Sequence, residues 1–195
     1  MRRAQIQRTT GETEIEIELN LDGTGQWNIQ TGLGFFDHML SHIAAHSLCD
    51  LVLQAKGDLH VDAHHTVEDV GIALGQAFRQ ALGDRRGITR YGQSLLPMDE
   101  ALALVALDFS NRGLFCGDLS WPHAQVGGFD TELVSEFLRA LALHAGMTLH
   151  VQILCGDNTH HQIEAVFKGL GRALRQAVSL DARRSSQVPS TKGVL

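Results

Sequence analysis

A chain of 195 residues and 21.3 kDa is long enough to bury roughly 70% of its unfolded surface. Its 44% hydrophobic and 19% charged residues exclude disorder, which requires few apolar residues and high net charge. A formal net charge of −6 gives phosphate backbones and anionic lipid no general attraction, so no nucleic acid and no membrane is expected as a partner.

In chain order, Met1 to Thr13 is polar and lacks the apolar stretch of a secretory signal. Glu14 to Leu19 alternates as a strand does, Asp37 to Ala45 has helical spacing, and Leu51 to Ala55 reads as a second strand. A longer helix follows His64, because Val67, Val70, Leu74, Ala77 and Phe78 repeat with a period near 3.6. Ala103 to Leu107 reads as a strand, Glu132 to His144 as a helix and Leu149 to Leu154 as a strand. A last amphipathic helix after His160 carries Val166, Leu170, Leu174 and Ala177 on one stripe. Nowhere does an apolar run approach the roughly 20 residues of a membrane span. Cys49, Cys116 and Cys155 are odd in number and far apart, which suits a reducing cytoplasm and neither a disulfide framework nor a thiolate metal site.

The second half repeats the first. His64-His65-Thr66-Val67-Glu68 and His160-His161-Gln162-Ile163-Glu164 head matching helices at a constant offset of 96, as from His64 to His160. Upstream, His38 to Leu51 matches Glu136 to Leu149 at an offset of 98. The expected fold is therefore α+β: one domain over 1–195, a tandem duplication of a sheet-plus-two-helix unit with halves near 1–92 and 93–180. Residues 181–195 form a tail. The helices should share one face of each sheet, and the halves should pack as a pseudo-twofold.

With 11 His and 9 Glu in 195 residues, composition alone yields about 0.03 HHxxE matches, so two require a cause. The bland cause is a pair of solvated helix N-termini, where polar residues gather. Ligation explains more. Residues i and i+4 share a helix face, which sets His64 with Glu68 and His160 with Glu164 as paired ligands. His65 and His161 point about 100° away and suit a second ion. His38 begins the upstream helix, and its repeat partner is Glu136. The expected sets are His64, Glu68, Glu136 and His161 for one metal, and His160, Glu164, His38 and His65 for the other. Imidazole and carboxylate without thiolate favour Mn²⁺, with Fe²⁺, Co²⁺ and Zn²⁺ as alternatives. The other histidines (His42, His46, His60, His123, His144 and His150) are read first as structural, with one of the six left open as a catalytic group. Arg90, Arg112 and the tail run Pro189-Ser190-Thr191-Lys192-Gly193 have the donors to hold a phosphate.

These motifs, with Arg8 to Thr13, Leu21 to Gly25, Phe36 to Leu40, Asp62 to Asp69, Pro97 to Leu102, His160 to Lys168 and Pro189 to Leu195, closely resemble the imidazoleglycerol-phosphate dehydratase family over nearly the whole chain. The resemblance implies a duplicated fold like the second domain of ribosomal protein S5. It also implies a lyase of histidine biosynthesis that dehydrates imidazole glycerol phosphate to imidazole-acetol phosphate. Two Mn²⁺ ions at a subunit boundary would bind the substrate imidazole as imidazolate, in a homo-oligomer of 24 subunits built from trimers. By motif, Glu12 contacts substrate and moves a proton, Glu68, Glu164 and Lys168 serve the chemistry, and Asp99 is a further substrate contact. Arg90, Arg112, Ser190 and Lys192 hold the phosphate. One position departs from the pattern: the family usually has His where this chain has Glu136 before Phe137, and a carboxylate there supplies a harder, anionic donor. The competing expectations are a dimetal phosphoesterase and a catalytically silent metal-binding shell protein.

Overall fold

The computed structural model describes residues 2–195. The first half runs β1 (Arg3–Thr9), β2 (Thr13–Asn20), β3 (Trp27–Gln30), α1 (Gly34–Ser47), β4 (Asp50–Gly57) and α2 (His64–Leu82). The second runs β5 (Tyr91–Met98), β6 (Ala101–Asp108), β7 (Leu114–Cys116), a two-stranded ribbon β8 (Gln125–Val126) and β9 (Phe129–Asp130), α3 (Leu133–Ala145), β10 (Thr148–Cys155) and α4 (Thr159–Val178). The sheets have the same plan, β1-β2-β4-β3 and β5-β6-β10-β7, each ending in a parallel pair. The structure thus bears out the duplicated α+β unit read from the repeat. The strands not foreseen are β1, β3, β5 and β7, all at sheet edges, and the β8–β9 ribbon.

Alternation drives the sheets. In β2, Thr13, Ile15, Ile17 and Leu19 are buried while Glu14, Glu16 and Glu18 are exposed, so a one-residue slip would turn carboxylates into the core. Each sheet carries its own helices on the apolar face, α2 lying on β1 and β2 and α4 on β5 and β6. The halves meet through helices, α1 on α4 and α2 on α3. Two equivalent glycines permit this close approach. A Cβ on Gly75 would lie 2.8 Å from Leu141 O, and one on Gly171 3.0 Å from His42 O. The residues that join the two halves form one hydrophobic core with the inner faces of both sheets, including Phe36, Phe78, Phe109, Phe137 and Phe167. None of the described helices is long and apolar enough to cross a membrane.

Candidate metal centre

The crossing of α1 and α4 brings together side chains that lie more than a hundred residues apart. His38 sits in the second turn of α1, and His160 and Glu164 occupy the first turns of α4. Asn158 caps α4 by accepting from the backbone N–H groups of His160 at 2.9 Å and His161 at 3.3 Å, which sets the helix start and the phase of the motif. One turn apart, His160 Nε2 lies 3.0 Å from Glu164 Oε2. From the other half, His38 Nε2 lies 3.7 Å from the same oxygen. The three donors all fall within 4.8 Å of one another, the only such group among the described residues. An octahedral ion with bonds of about 2.1 Å separates neighbouring donors by about 3 Å and opposite ones by about 4.2 Å, a range that includes the 3.0 and 3.7 Å edges meeting at Glu164.

Behind the triangle, Lys168 Nζ sits 2.5 Å from Glu164 Oε1 and His42 Nε2 sits 3.5 Å from it. Burial pushes the Glu164 carboxyl up, but Lys168, His42 and His160 outweigh it and hold the group below the usual carboxylate range. Burial pushes His42 down to about 4, so its ring is neutral at physiological pH. His42, read first as structural, therefore backs a candidate ligand. Its approach depends on the α1–α4 crossing, which the linear sequence does not display.

The equivalent place between α2 and α3 is more open. His64 Nε2 and Glu68 Oε2 are 4.0 Å apart and both nearly half exposed. Glu136 stands on the neighbouring helix, but its carboxylate is turned to Arg139 Nη1 at 2.5 Å. His65 and His161 join neither group within one chain. His65 Nδ1 lies 3.0 Å from Asp58 Oδ2 and 3.7 Å from Glu12 Oε2. His161 Nδ1 lies 2.7 Å from Glu100 Oε2, and its Nε2 3.8 Å from Asp99 Oδ2. Asp58 holds the His65 imidazole above its ordinary pKa, and Glu100 does the same for His161. Glu100 itself is drawn down to about 2 by His161 and the backbone N–H of Asn158. Neither carboxylate was foreseen. For Glu100 a signal existed, since β2 and β6 match at an offset of 88 and place it opposite Glu12.

The residues expected to hold phosphate lie elsewhere. The Arg90 guanidinium is paired with Asp108 at 2.6 and 3.0 Å and donates to Pro189 O at 2.8 Å, tying down the tail. Lys192 N donates to Ser190 Oγ at 3.2 Å, and Arg112 closes a turn with Ser110. Arg90 and Asp99 both adopt positive φ, 75° and 48°, a conformation uncommon outside glycine and concentrated at functional sites. They mark opposite ends of one hairpin. Tyr91 pairs with Asp108 at one end and Met98 with Ala101 at the other, and eight residues at about 3.3 Å each separate them by roughly 25 Å. Lys168, 3.5 Å from Met98 Sδ, belongs to the metal end. Within one chain, Arg90 and the stretch of tail it holds stand at the end of the hairpin away from Glu100.

A family profile described as imidazoleglycerol-phosphate dehydratase matches residues 31–174. Relatives with that name include one from Desulforamulus reducens, 62% identical over 194 residues that cover 100% of this chain and 98% of the relative. Another, from Roseobacter denitrificans, is 60% identical with both chains covered in full. The crystal structure of imidazoleglycerol-phosphate dehydratase from Staphylococcus aureus superposes with a TM-score of 0.84 at 40% identity, covering 92% of this chain and 99% of that one. The Pyrococcus furiosus enzyme, solved in complex with (S)-C348, gives the same score and identity, covering 97% of this chain and 100% of that one.

Proposed function

This chain belongs to the imidazoleglycerol-phosphate dehydratase family, hydro-lyases of histidine biosynthesis, and from that premise we propose how its residues carry out the dehydration. The substrate is D-erythro-imidazole glycerol phosphate and the product imidazole-acetol phosphate. The observation that carries the proposal is the convergence of His38 with His160 and Glu164 from opposite halves. These residues hold one Mn²⁺, and His64, Glu68 and Glu136 hold a second once Glu136 is released from Arg139. When bound, the two ions anchor the substrate imidazole and stabilise negative charge on it, which supplies the electron sink that a carbon chain without a carbonyl lacks.

The chain supplies the remainder. Glu12 is more than half exposed on the β1–β2 turn beside His65, free to move the proton that leaves carbon. Lys168 keeps Glu164 ionised and oriented. Arg112, Ser190 and Lys192 grip the phosphate with charge-assisted hydrogen bonds, and Arg90 holds the tail against them. The hairpin's length supports a site completed between copies, in which the phosphate end of one chain meets the metal end of another. His65 and His161 donate across the same boundary, His161 to the set of His64, Glu68 and Glu136 and His65 to the set of His38, His160 and Glu164. We accordingly propose a homo-oligomer, 24 subunits built from trimers, acting in a reducing cytoplasm.

Treatment with a chelator should abolish turnover of imidazole glycerol phosphate, and added Mn²⁺ should restore it without phosphate release. Full turnover in metal-free protein would remove the reading. Phosphate release would favour a phosphoesterase.

A further inference from the structure

Duplication explains why each half carries an HHxxE motif, but not the partners of the second histidine in each. His65 meets Asp58, in the loop between β4 and α2, while His161 meets Glu100, in the turn between β5 and β6. The two carboxylates are not copies of one another. Gly57-Asp58 stands at the end of β4 as Gly156-Asp157 stands at the end of β10, so the counterpart of Asp58 is Asp157, whose backbone N–H meets Glu100, and at the offset of 88 the counterpart of Glu100 is Glu12. The close contact, carboxylate to Nδ1, is thus made by Asp58 in the first half and by Glu100 in the second, while Glu12, the counterpart of Glu100, stands back at 3.7 Å from His65 Nδ1.

We infer that Asp58 and Glu100 are positioning residues, each accepting the Nδ1 proton of its histidine so that the Nε2 lone pair faces outward as a metal ligand. A ring nitrogen that donates to a carboxylate fixes the tautomer and orientation of the imidazole and raises the basicity of the other nitrogen. The inference rests on the two-metal reading above. It also separates Glu12 from Glu100. Because Asp58 holds His65, Glu12 makes no closer contact with the ring than 3.7 Å and stays available to substrate. Glu100 is engaged by His161 and by the backbone N–H groups of Asn158 at 2.9 Å and Asp157 at 3.4 Å. Of the two equivalent turns, the first presents the less engaged glutamate.

The test uses the full-length protein, stripped by chelator and titrated with Mn²⁺ in a calorimeter, with thermal melts recorded for every variant. Asp58→Ala and Glu100→Ala should each lose about 10- to 100-fold in affinity at one of the two sites. Asp58→Asn and Glu100→Gln should recover part of the loss, because an amide oxygen still accepts the Nδ1 proton. Imidazole nitrogen NMR should show His65 and His161 as single tautomers that become mixed in the Ala variants. Glu100 also holds the loop before α4, so the Asp58 series is the cleaner one: its Oδ2 contacts His65 and its Oδ1 has no partner among the described residues. If His65→Ala and His161→Ala lose metal while Asp58→Ala and Glu100→Ala bind like the wild type, the positioning role is overturned and the metal reading stands. A wild-type protein that takes up no Mn²⁺ overturns both.

Discussion

Between α1 and α4, His38, His160 and Glu164 are drawn into one triangle with His42 and Lys168 behind it. At the equivalent places between α2 and α3 stand Glu136, His64 and Glu68, with Ala140 where the first pair has His42 and Ile72 where it has Lys168. The backbone scaffold is alike, down to the glycines that let each helix pair approach. The chemistry is not. One group has a single carboxylate offset by a lysine. The other has two carboxylates, one of them held by Arg139, and so offers harder donors to a cation. Duplication reproduces a fold because the apolar pattern must be kept in both copies. The polar positions it carries along are free to diverge.

The reverse asymmetry appears at the turns. In the first half, Asp69 accepts from Arg8 Nε and Nη2 at 2.9 and 2.7 Å and from Thr13 Oγ1 at 2.5 Å, tying the Glu12 turn to α2. The second-half counterparts of Arg8, Thr13 and Asp69 are Leu96, Ala101 and Ala165, an apolar version of the same joint. Asp69 is 5% exposed but the Arg8 side chain 30%, so Asp69→Ala leaves the Thr13 hydroxyl and a part-solvated guanidinium without their acceptor and should cost about 2 kcal/mol in chemical denaturation. Copying the second half in full, with Arg8→Leu, Thr13→Ala and Asp69→Ala together, should restore most of that loss, because a buried ion pair is often replaceable by apolar packing. A triple variant no more stable than Asp69→Ala would show that the two joints are not interchangeable.

A smaller effect should be shared by both halves. His46 and His144 are repeat partners, and burial lowers the pKa of each from its ordinary 6.5. His46 faces Lys168, Arg172 and Glu164, and His144 faces Arg8, Arg79 and Glu68. A histidine kept neutral by the fold leaves the unfolded chain binding more protons, so stability is full above about pH 6.5 and falls as the pH drops towards the folded pKa. Denaturation at pH 7.5 and 5.5 should show this loss, and His46→Gln or His144→Gln should each reduce it. An unchanged slope in both variants would place the acid sensitivity elsewhere.

Much of this was legible from residues alone. The four helices announce themselves by spacing, and β2, β4, β6 and β10, the central strands or their neighbours, by apolar alternation. The edge strands did not. β3 and β7 are four and three residues long, and β5 contains Gly92 and Pro97, which argue against a strand unless it lies at an edge. The HHxxE pairs identified candidate ligands because i and i+4 is a local relation. The roles of His42, Asp58 and Glu100 depend on helix crossing and turn geometry, which no local spacing encodes.

The most direct measurement is anomalous diffraction at the manganese edge from crystals grown with Mn²⁺. Two ions per chain are expected, one on His38, His160 and Glu164 and one on His64, Glu68 and Glu136, each completed by His65 or His161 of a neighbouring copy. Crystals in which these side chains surround no ion, or in which His65 and His161 face solvent in every copy, would contradict this arrangement.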